Sequence, residues 1–206
     1  MKTLLSFVIP CYRSAHTIGA VVEELTQTVA QRAEEYDHEI VLVNDGSRDR
    51  TWEMICELHK ENPLFEGVKL SRNRGHQNAL LAGLMWAKDR CDVTISIDCD
   101  GQDDINAMDE MMKNYHDGCH IVYGVRSKRD TDTFFKRATA EGFYKFMHIM
   151  GAETVFNHAD YRLMSKQALN GLAQFKEVNL FLRGQVPMVG YKSTAVYYER
   201  NERIAG

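Results

Sequence analysis

Through residue 124 the chain alternates short apolar runs with amphipathic stretches, and this alternation constrains its fold more than any other feature. Residues 4–10, 39–44, 67–70, 93–97 and 120–124 read as buried strands. Between them, residues 17–33, 50–60, 78–87 and 105–115 read as helices. The first helix is the clearest, with Ile18, Val21, Val22, Leu25 and Val29 at helical spacing. Asp49 is placed to cap the second. Strand and helix in strict turn imply an α/β fold with a mostly parallel central sheet and helices on both faces. Such a sheet binds ligands beyond the carboxyl ends of its strands. The polar clusters 10–12, 44–47 and 98–102 all fall at such ends.

The length of 206 residues fits one domain. With 44% hydrophobic and 26% charged residues and only 3 Pro, the chain is not disordered or of low complexity. No run approaches the roughly 18 apolar residues of a membrane span. The apolar N-terminal run is too short for a signal peptide and lacks a small-residue cleavage site. A net charge of −4 carries no nucleic-acid signature. Five scattered cysteines without a CxxC read as reduced thiols in a cytosolic protein. The histidines show no ligand spacing and are assigned to no metal.

Beyond Arg126 the pattern changes. Residues 127–133 read as a polar loop and 134–150 as a helix. Phe135, Ala138, Phe143, Phe146, Met147 and Met150 share one side of it, with Lys136, Arg137 and Lys145 among the aromatics. It fits either an interfacial helix meeting lipid and phosphate or an ordinary core helix. An apolar segment at 161–164, a helix from 166, another near 178–183 and a strand at 193–198 complete the chain. No repeat or linker divides it.

The sharpest local feature is Asp98-Cys-Asp-Gly-Gln102. If strand alternation continues through it, Asp98, Asp100 and Gln102 present oxygens to one point. Carboxylate and amide oxygens suit Mg²⁺ or Mn²⁺ shared with substrate phosphates. Asp45 sits at another strand end, fit either to accept from a base or ribose or to cap a turn. No G-x-G-x-x-G follows the first strand and no P-loop occurs, so dinucleotide and P-loop readings lose their support.

Taken in order, Phe7-Val-Ile-Pro-Cys-Tyr12, Val43-Asn-Asp-Gly-Ser-Arg-Asp49, Leu70-Ser-Arg-Asn-Arg-Gly-His-Gln77, Ile97-Asp-Cys-Asp-Gly-Gln102, Tyr123-Gly-Val-Arg126 and Ala159-Asp-Tyr-Arg-Leu-Met-Ser165 resemble glycosyltransferase family 2, with its nucleotide-sugar-binding GT-A fold. Within it the chain resembles the polyprenyl-phosphate branch of bactoprenol glucosyltransferases and dolichol-phosphate mannose synthases. The resemblance implies that Pro10 and Tyr12 line the nucleotide-base pocket, Asp45 reads the base edge, and Asp98 holds the ribose and helps form the metal site. It implies that Asp100 and Gln102 bind the metal bridging the donor diphosphate. Arg126 would reach the phosphates of donor or acceptor, Arg137 would be a second basic contact to the acceptor phosphate, and Asp160 would lie near the acceptor. Arg13-Ser14 departs from relatives that carry an acidic residue just after the Pro-x-Tyr segment.

Elementary chemistry bears on the acceptor. A sugar hydroxyl must lose a proton as it attacks, which calls for a carboxylate base. A phosphate monoester, with a second pKa of about 6, is already mostly dianionic near pH 7 and needs cations instead. Arg126, Lys128, Arg129, Lys136 and Arg137 form a basic cluster after the fifth strand, suited to phosphate or simply solvated. The Q-x-x-R-W signature of processive polysaccharide synthases is missing; the nearest run is Phe181-Leu-Arg-Gly184. The expectation is an inverting, metal-dependent transfer from a nucleotide sugar, UDP before GDP, to a polyprenyl phosphate at the cytoplasmic face of a membrane. Competing readings are transfer to a saccharide hydroxyl, a nucleotidyltransferase, and a module that binds nucleotide sugars without turnover. The branch resemblance also implies a catalytic domain, residues 1–206, followed in the natural protein by membrane helices.

Overall fold

The computed structural model describes residues 2–127, 158–176 and 181–201. The described chain forms a seven-stranded sheet in the order β3-β2-β1-β4-β6-β5-β7. The strands are β1 (Thr3–Cys11), β2 (Tyr36–Asn44), β3 (Phe65–Lys69), β4 (Val93–Ser96), β5 (Ile121–Arg126), β6 (His158–Ser165) and β7 (Ser193–Tyr198). Only β6 runs against its neighbours, pairing antiparallel with both β4 and β5. The other pairings are parallel. The mostly parallel sheet expected from the strand–helix alternation is therefore present.

Helices cover both faces. Helices α1 (Ile18–Ala30), α2 (Thr51–Glu61) and α4 (Met108–His116) lie on one side. Helices α3 (His76–Ala87), α5 (Lys166–Leu172) and α6 (Leu182–Met188) lie on the other. Alternation along β1 explains how both faces are served: Leu5, Phe7, Ile9 and Cys11 enter the first cluster, and Val8 the second. Strands buried on both faces read as near-continuous apolar runs, which is why β1 and β2 stood out. Gly83 lets α3 lie close on the sheet, since a Cβ there would sit 2.4 Å from Val8 and 2.7 Å from Val43.

Several boundaries differ from the sequence reading. Helix α3 begins at His76 rather than 78, which carries His76 onto the sheet edge. The expected helix at 105–115 opens as a single 3₁₀ turn, Ile105–Ala107, before α4. Of the helix expected near 178–183, residues 178–180 lie outside the described residues, and α6 begins at Leu182. Asp49 does serve the start of α2, accepting from the Thr51 N–H at 3.2 Å and the Thr51 hydroxyl at 2.7 Å. The helix expected at 134–150, its loop from 128 onward and Arg137 lie outside the described residues. Among the described residues, no helix is long and apolar enough to cross a membrane.

Candidate active site

Strand β1 has β2 on one side and β4 on the other, so the chain reverses its direction of winding there. Such a switch point opens a crevice at the carboxyl ends of the strands. A cleft of about 510 Å³ lies there, walled by Pro10 at the end of β1 and Tyr12 just after it, Asp45 after β2, and Asp98 and Asp100 after β4. His76 at the start of α3 and Asp160 on β6 close its far side. Asp160 reaches this edge because β6 runs backwards: its first residues lie where its neighbours end.

The nucleotide-side residues of the sequence reading are brought together. Tyr12 is exposed beside the cleft, with the Arg13 guanidinium 5.4 Å from its ring centre. The loop after β1 is tied to the one after β2. Arg13, at a φ of 53°, donates its N–H to the Ser47 hydroxyl at 3.1 Å. Ser14, at the departing position, accepts the Tyr12 N–H at 3.1 Å and donates its own N–H to Thr51 at 3.0 Å. Asp45 is buried and accepts the N–H groups of Arg74 and Gly75 at 2.6 and 3.0 Å. It thus holds the 72–75 loop as well as lining the cleft.

Gly46 makes that arrangement possible. Its φ is +61°, and a Cβ would lie 2.2 Å from the Arg72 carbonyl carbon and 2.4 Å from the Asn73 nitrogen. Gly46→Ala is expected to destabilise the fold by more than the ~1–2 kcal/mol of the left-handed backbone alone. Thermal melts check this; a variant melting like wild type would refute the close approach.

The strand-end motif behaves differently from simple alternation. Strand β4 ends at Ser96, and the chain turns through Gly101 at a φ of +70°. Asp98 and Asp100 face the cleft, whereas the Gln102 side-chain amide donates to the Asn201 carbonyl at 3.4 Å. Asp100 accepts the Gln102 N–H at 3.1 Å and stands 3.7 Å from Arg200. Beneath the turn, buried Asp103 accepts the Asp98 N–H at 3.2 Å and the Tyr198 hydroxyl at 2.6 Å. Arg126 belongs to this support: its Nε donates to Tyr198 at 3.3 Å and its Nη2 lies 3.9 Å from Asp103.

Burial, with the charges of Asp103 and Asp100, pushes the Asp98 carboxyl up to about 6 despite the opposing His76. Crowded carboxylates of this kind are the environment a divalent cation relieves. Among the described residues no three His, Cys, Asp or Glu side chains converge to hold a metal by themselves. The donor set fits instead a hard cation held by one or two carboxylates and completed by substrate phosphates.

The far side holds residues that sequence reading gave no role. His76 Nε2 lies 3.2 Å from Asp160 and 3.7 Å from Asp98, bridging the two halves of the cleft. The bond to Asp160 raises the imidazole against the effect of burial. Arg183 grips both Asp160 oxygens at 3.1 and 3.2 Å. Arg162 lies wholly buried beneath, its Nη2 3.8 Å from Asp160 and its guanidinium 5.5 Å from the Tyr123 ring. Burial alone would raise the Asp160 carboxyl, but His76, Arg183 and Arg162 together hold it well below the usual carboxylate range. The Gln77 side chain accepts the Leu182 N–H at 3.1 Å, joining the start of α3 to that of α6.

The doubly covered sheet with its one antiparallel strand and acidic strand ends matches solved glycosyltransferases of the GT-A fold. A mannosyltransferase from Pyrobaculum calidifontis, solved with GDP-Man and Mn²⁺, aligns with 96% of this chain and 55% of its own at 17% identity, with a TM-score of 0.63. Glucosyl-3-phosphoglycerate synthase from Mycobacterium tuberculosis, solved with Mn²⁺, UDP and phosphoglyceric acid, aligns with 97% of this chain and 72% of its own at 14% identity, with a TM-score of 0.61. The chain belongs to glycosyl transferase family 2, whose family model matches residues 6–172. It is 50% identical to the uncharacterized glycosyltransferase YkoT of Bacillus subtilis, covering 100% of this chain and 62% of that protein. It is 35% identical to the bactoprenol glucosyl transferase of Shigella phage SfV, over 98% of this chain and 64% of the relative. The chain thus spans less than two thirds of the length of these relatives.

Proposed function

We propose that this chain transfers a sugar from a UDP-sugar to a polyprenyl phosphate, with inversion, at the cytoplasmic face of a membrane. The observation that carries this reading is the state of Asp160. A general base works best with a pKa near the working pH. Asp160 is buried, gripped by Arg183 and His76, and backed by Arg162. Such a carboxylate is a poor proton acceptor and a good anchor. An acceptor attacking next to it should arrive already ionised, as a phosphate monoester does. A saccharide hydroxyl would need a base, and Asp160, held low by its cationic neighbours, does not supply one. The name of the phage relative, a bactoprenol glucosyl transferase, supports the same acceptor class.

In this reading Pro10 and Tyr12 hold the base, with Tyr12 stacking on it, and Asp45 and Asp98 take the uridine edge and ribose. Asp100 and Asp98, the two carboxylates that face the cleft, would hold Mg²⁺ or Mn²⁺. That ion supplies Lewis-acid stabilisation of the departing diphosphate. Arg126 and Arg137 neutralise phosphate charge as the acceptor oxygen approaches the anomeric carbon in line. Asp160 and His76 fix the acceptor side of the sugar.

Transfer of labelled sugar from UDP-glucose to a short polyprenyl phosphate in Mn²⁺ tests this reading. Product is expected with the phosphate and not with the corresponding free alcohol. Nucleotide binding without transfer or hydrolysis would leave only a binding module. A thermal-shift panel of UDP, GDP and CDP with Mn²⁺ tests the donor separately; a shift with GDP alone would overturn the uridine assignment.

A further inference from the structure

Two of the five cysteines meet at the floor of the cleft. The last pairing of β1 with β4 sets Val8 opposite Ser96, and the Ile97 N–H still bonds the Val8 carbonyl at 3.1 Å. Carrying that register three residues further places Cys11 opposite Cys99. Both side chains point to the same face, since Cys11 lies in the α1 cluster and Cys99 packs against it. Both cysteines line the same cleft. Cys11 is fully buried, and its thiol also donates to the Ile9 carbonyl at 3.3 Å; Cys99 is partly exposed, with Thr17 3.7 Å away. Neighbouring strands lie ~4.8 Å apart. A disulfide needs Cα atoms about 4.4–6.8 Å apart, so this placement is within reach of a bond.

Position makes the pair consequential. Cys11 lies between Pro10 and Tyr12 on one wall of the cleft. Cys99 lies between Asp98 and Asp100 on the other. A bond between the sulfurs would join the walls and draw the Asp98–Asp100 turn toward the end of β1.

We propose that Cys11 and Cys99 form a dithiol modification site that hydrogen peroxide or a low-molecular-weight disulfide closes to a protein disulfide, lowering affinity for the nucleotide donor. The effect on the donor rests on the nucleotide-cleft reading above. With peroxide, the two thiols give up two electrons and two protons; the O–O bond breaks, the S–S bond forms, and two waters leave. With a small disulfide, that S–S bond is exchanged for the protein's and two small thiols leave. Cys91 and Cys119 are buried in other parts of the core and Cys56 sits on α2, so these three serve as internal controls.

The test treats the folded chain with hydrogen peroxide or oxidised glutathione, alkylates it, and maps peptides without reduction. UDP binding in Mn²⁺ is titrated before and after, then again after dithiothreitol. The expected result is a Cys11–Cys99 linked peptide and a fall in UDP affinity of roughly tenfold or more, reversed by dithiothreitol. Cys11→Ala and Cys99→Ala should each lack the linked peptide and keep their own UDP affinity through oxidation. Absence of the linked peptide, its formation with unchanged UDP affinity, or a loss that persists in Cys11→Ala would each overturn the proposal. If the reduced chain binds no UDP, the nucleotide reading fails, while the linked peptide still decides whether the dithiol closes.

Discussion

Asp100→Asn is expected to lower metal-dependent turnover by roughly 10²–10³-fold at saturating Mn²⁺, as loss of one preorganised electrostatic contact does. The substitution is chosen because it separates charge from shape. Asp100 accepts the Gln102 N–H at 3.1 Å, and an asparagine side-chain oxygen can accept that same bond. The turn therefore keeps its local support and the fold its stability. What disappears is one of the two negative charges at the cleft end of β4. Initial rates against Mn²⁺ concentration, with UDP-sugar and polyprenyl phosphate fixed, check the expectation. Wild-type rate in the variant at saturating Mn²⁺ would remove Asp100 from the proposed cation set. A loss accompanied by a falling melting temperature would instead point to the turn.

The side of the cleft formed by the ends of β1, β2 and β4 was legible in the sequence because local rules suffice there. Strands buried on both faces must be apolar, and the chain after each must turn and become polar. Thus 10–12, 44–47 and 98–102 could be placed on one edge without coordinates. On the far side of the cleft only Asp160 was named, through the family resemblance, and its partners were not, for the opposite reason. Asp160, Arg183 and His76 come from three distant elements, and nothing local in Gly75-His76-Gln77 marks the histidine as facing two carboxylates. Arg162 shows a further limit. An arginine in the strand run Tyr161-Arg-Leu-Met164 suggests a solvent-facing position by alternation, yet both faces of this sheet are covered and Arg162 is 1% exposed. Alternation does not place Gln102, because the turn through Gly101 comes first and sends its side-chain amide to the Asn201 carbonyl. The antiparallel sense of β6, which puts Asp160 at the site, depends on how the preceding chain returns to the sheet and leaves no mark in residues 158–165.

Asp160→Asn is expected to destabilise the fold by about 3–5 kcal/mol, the range for removing one member of a buried ion pair. At this chain length that is a fall in melting temperature of roughly 10 °C. Arg162 is the cause. Its Nε and Nη2 have no hydrogen-bond acceptor among the described residues, and Asp160 lies 3.8 Å from Nη2. Burial pulls the guanidinium below its usual value, with Tyr123 and Asp160 opposing. It stays charged all the same, because arginine does not give up its proton in proteins. Neutralising Asp160 therefore leaves a buried cation facing Arg183 and the Tyr123 ring. The pH dependence has a definite sign. The folded Asp160 carboxyl sits below its unfolded value, so its contribution is present above the ordinary carboxylate range and is lost as pH falls through the folded value. Asp160→Asn should thus narrow its gap to wild type as the melt is moved to acid. Asp160→Asn combined with Arg162→Met should recover much of the lost stability at neutral pH, since an apolar side chain of similar reach replaces the orphaned charge. Activity should stay low in the double variant, because the anchor on the acceptor side is gone. Recovery of stability without recovery of activity distinguishes a site role for Asp160 from a purely structural one, and recovery of both would make it structural alone.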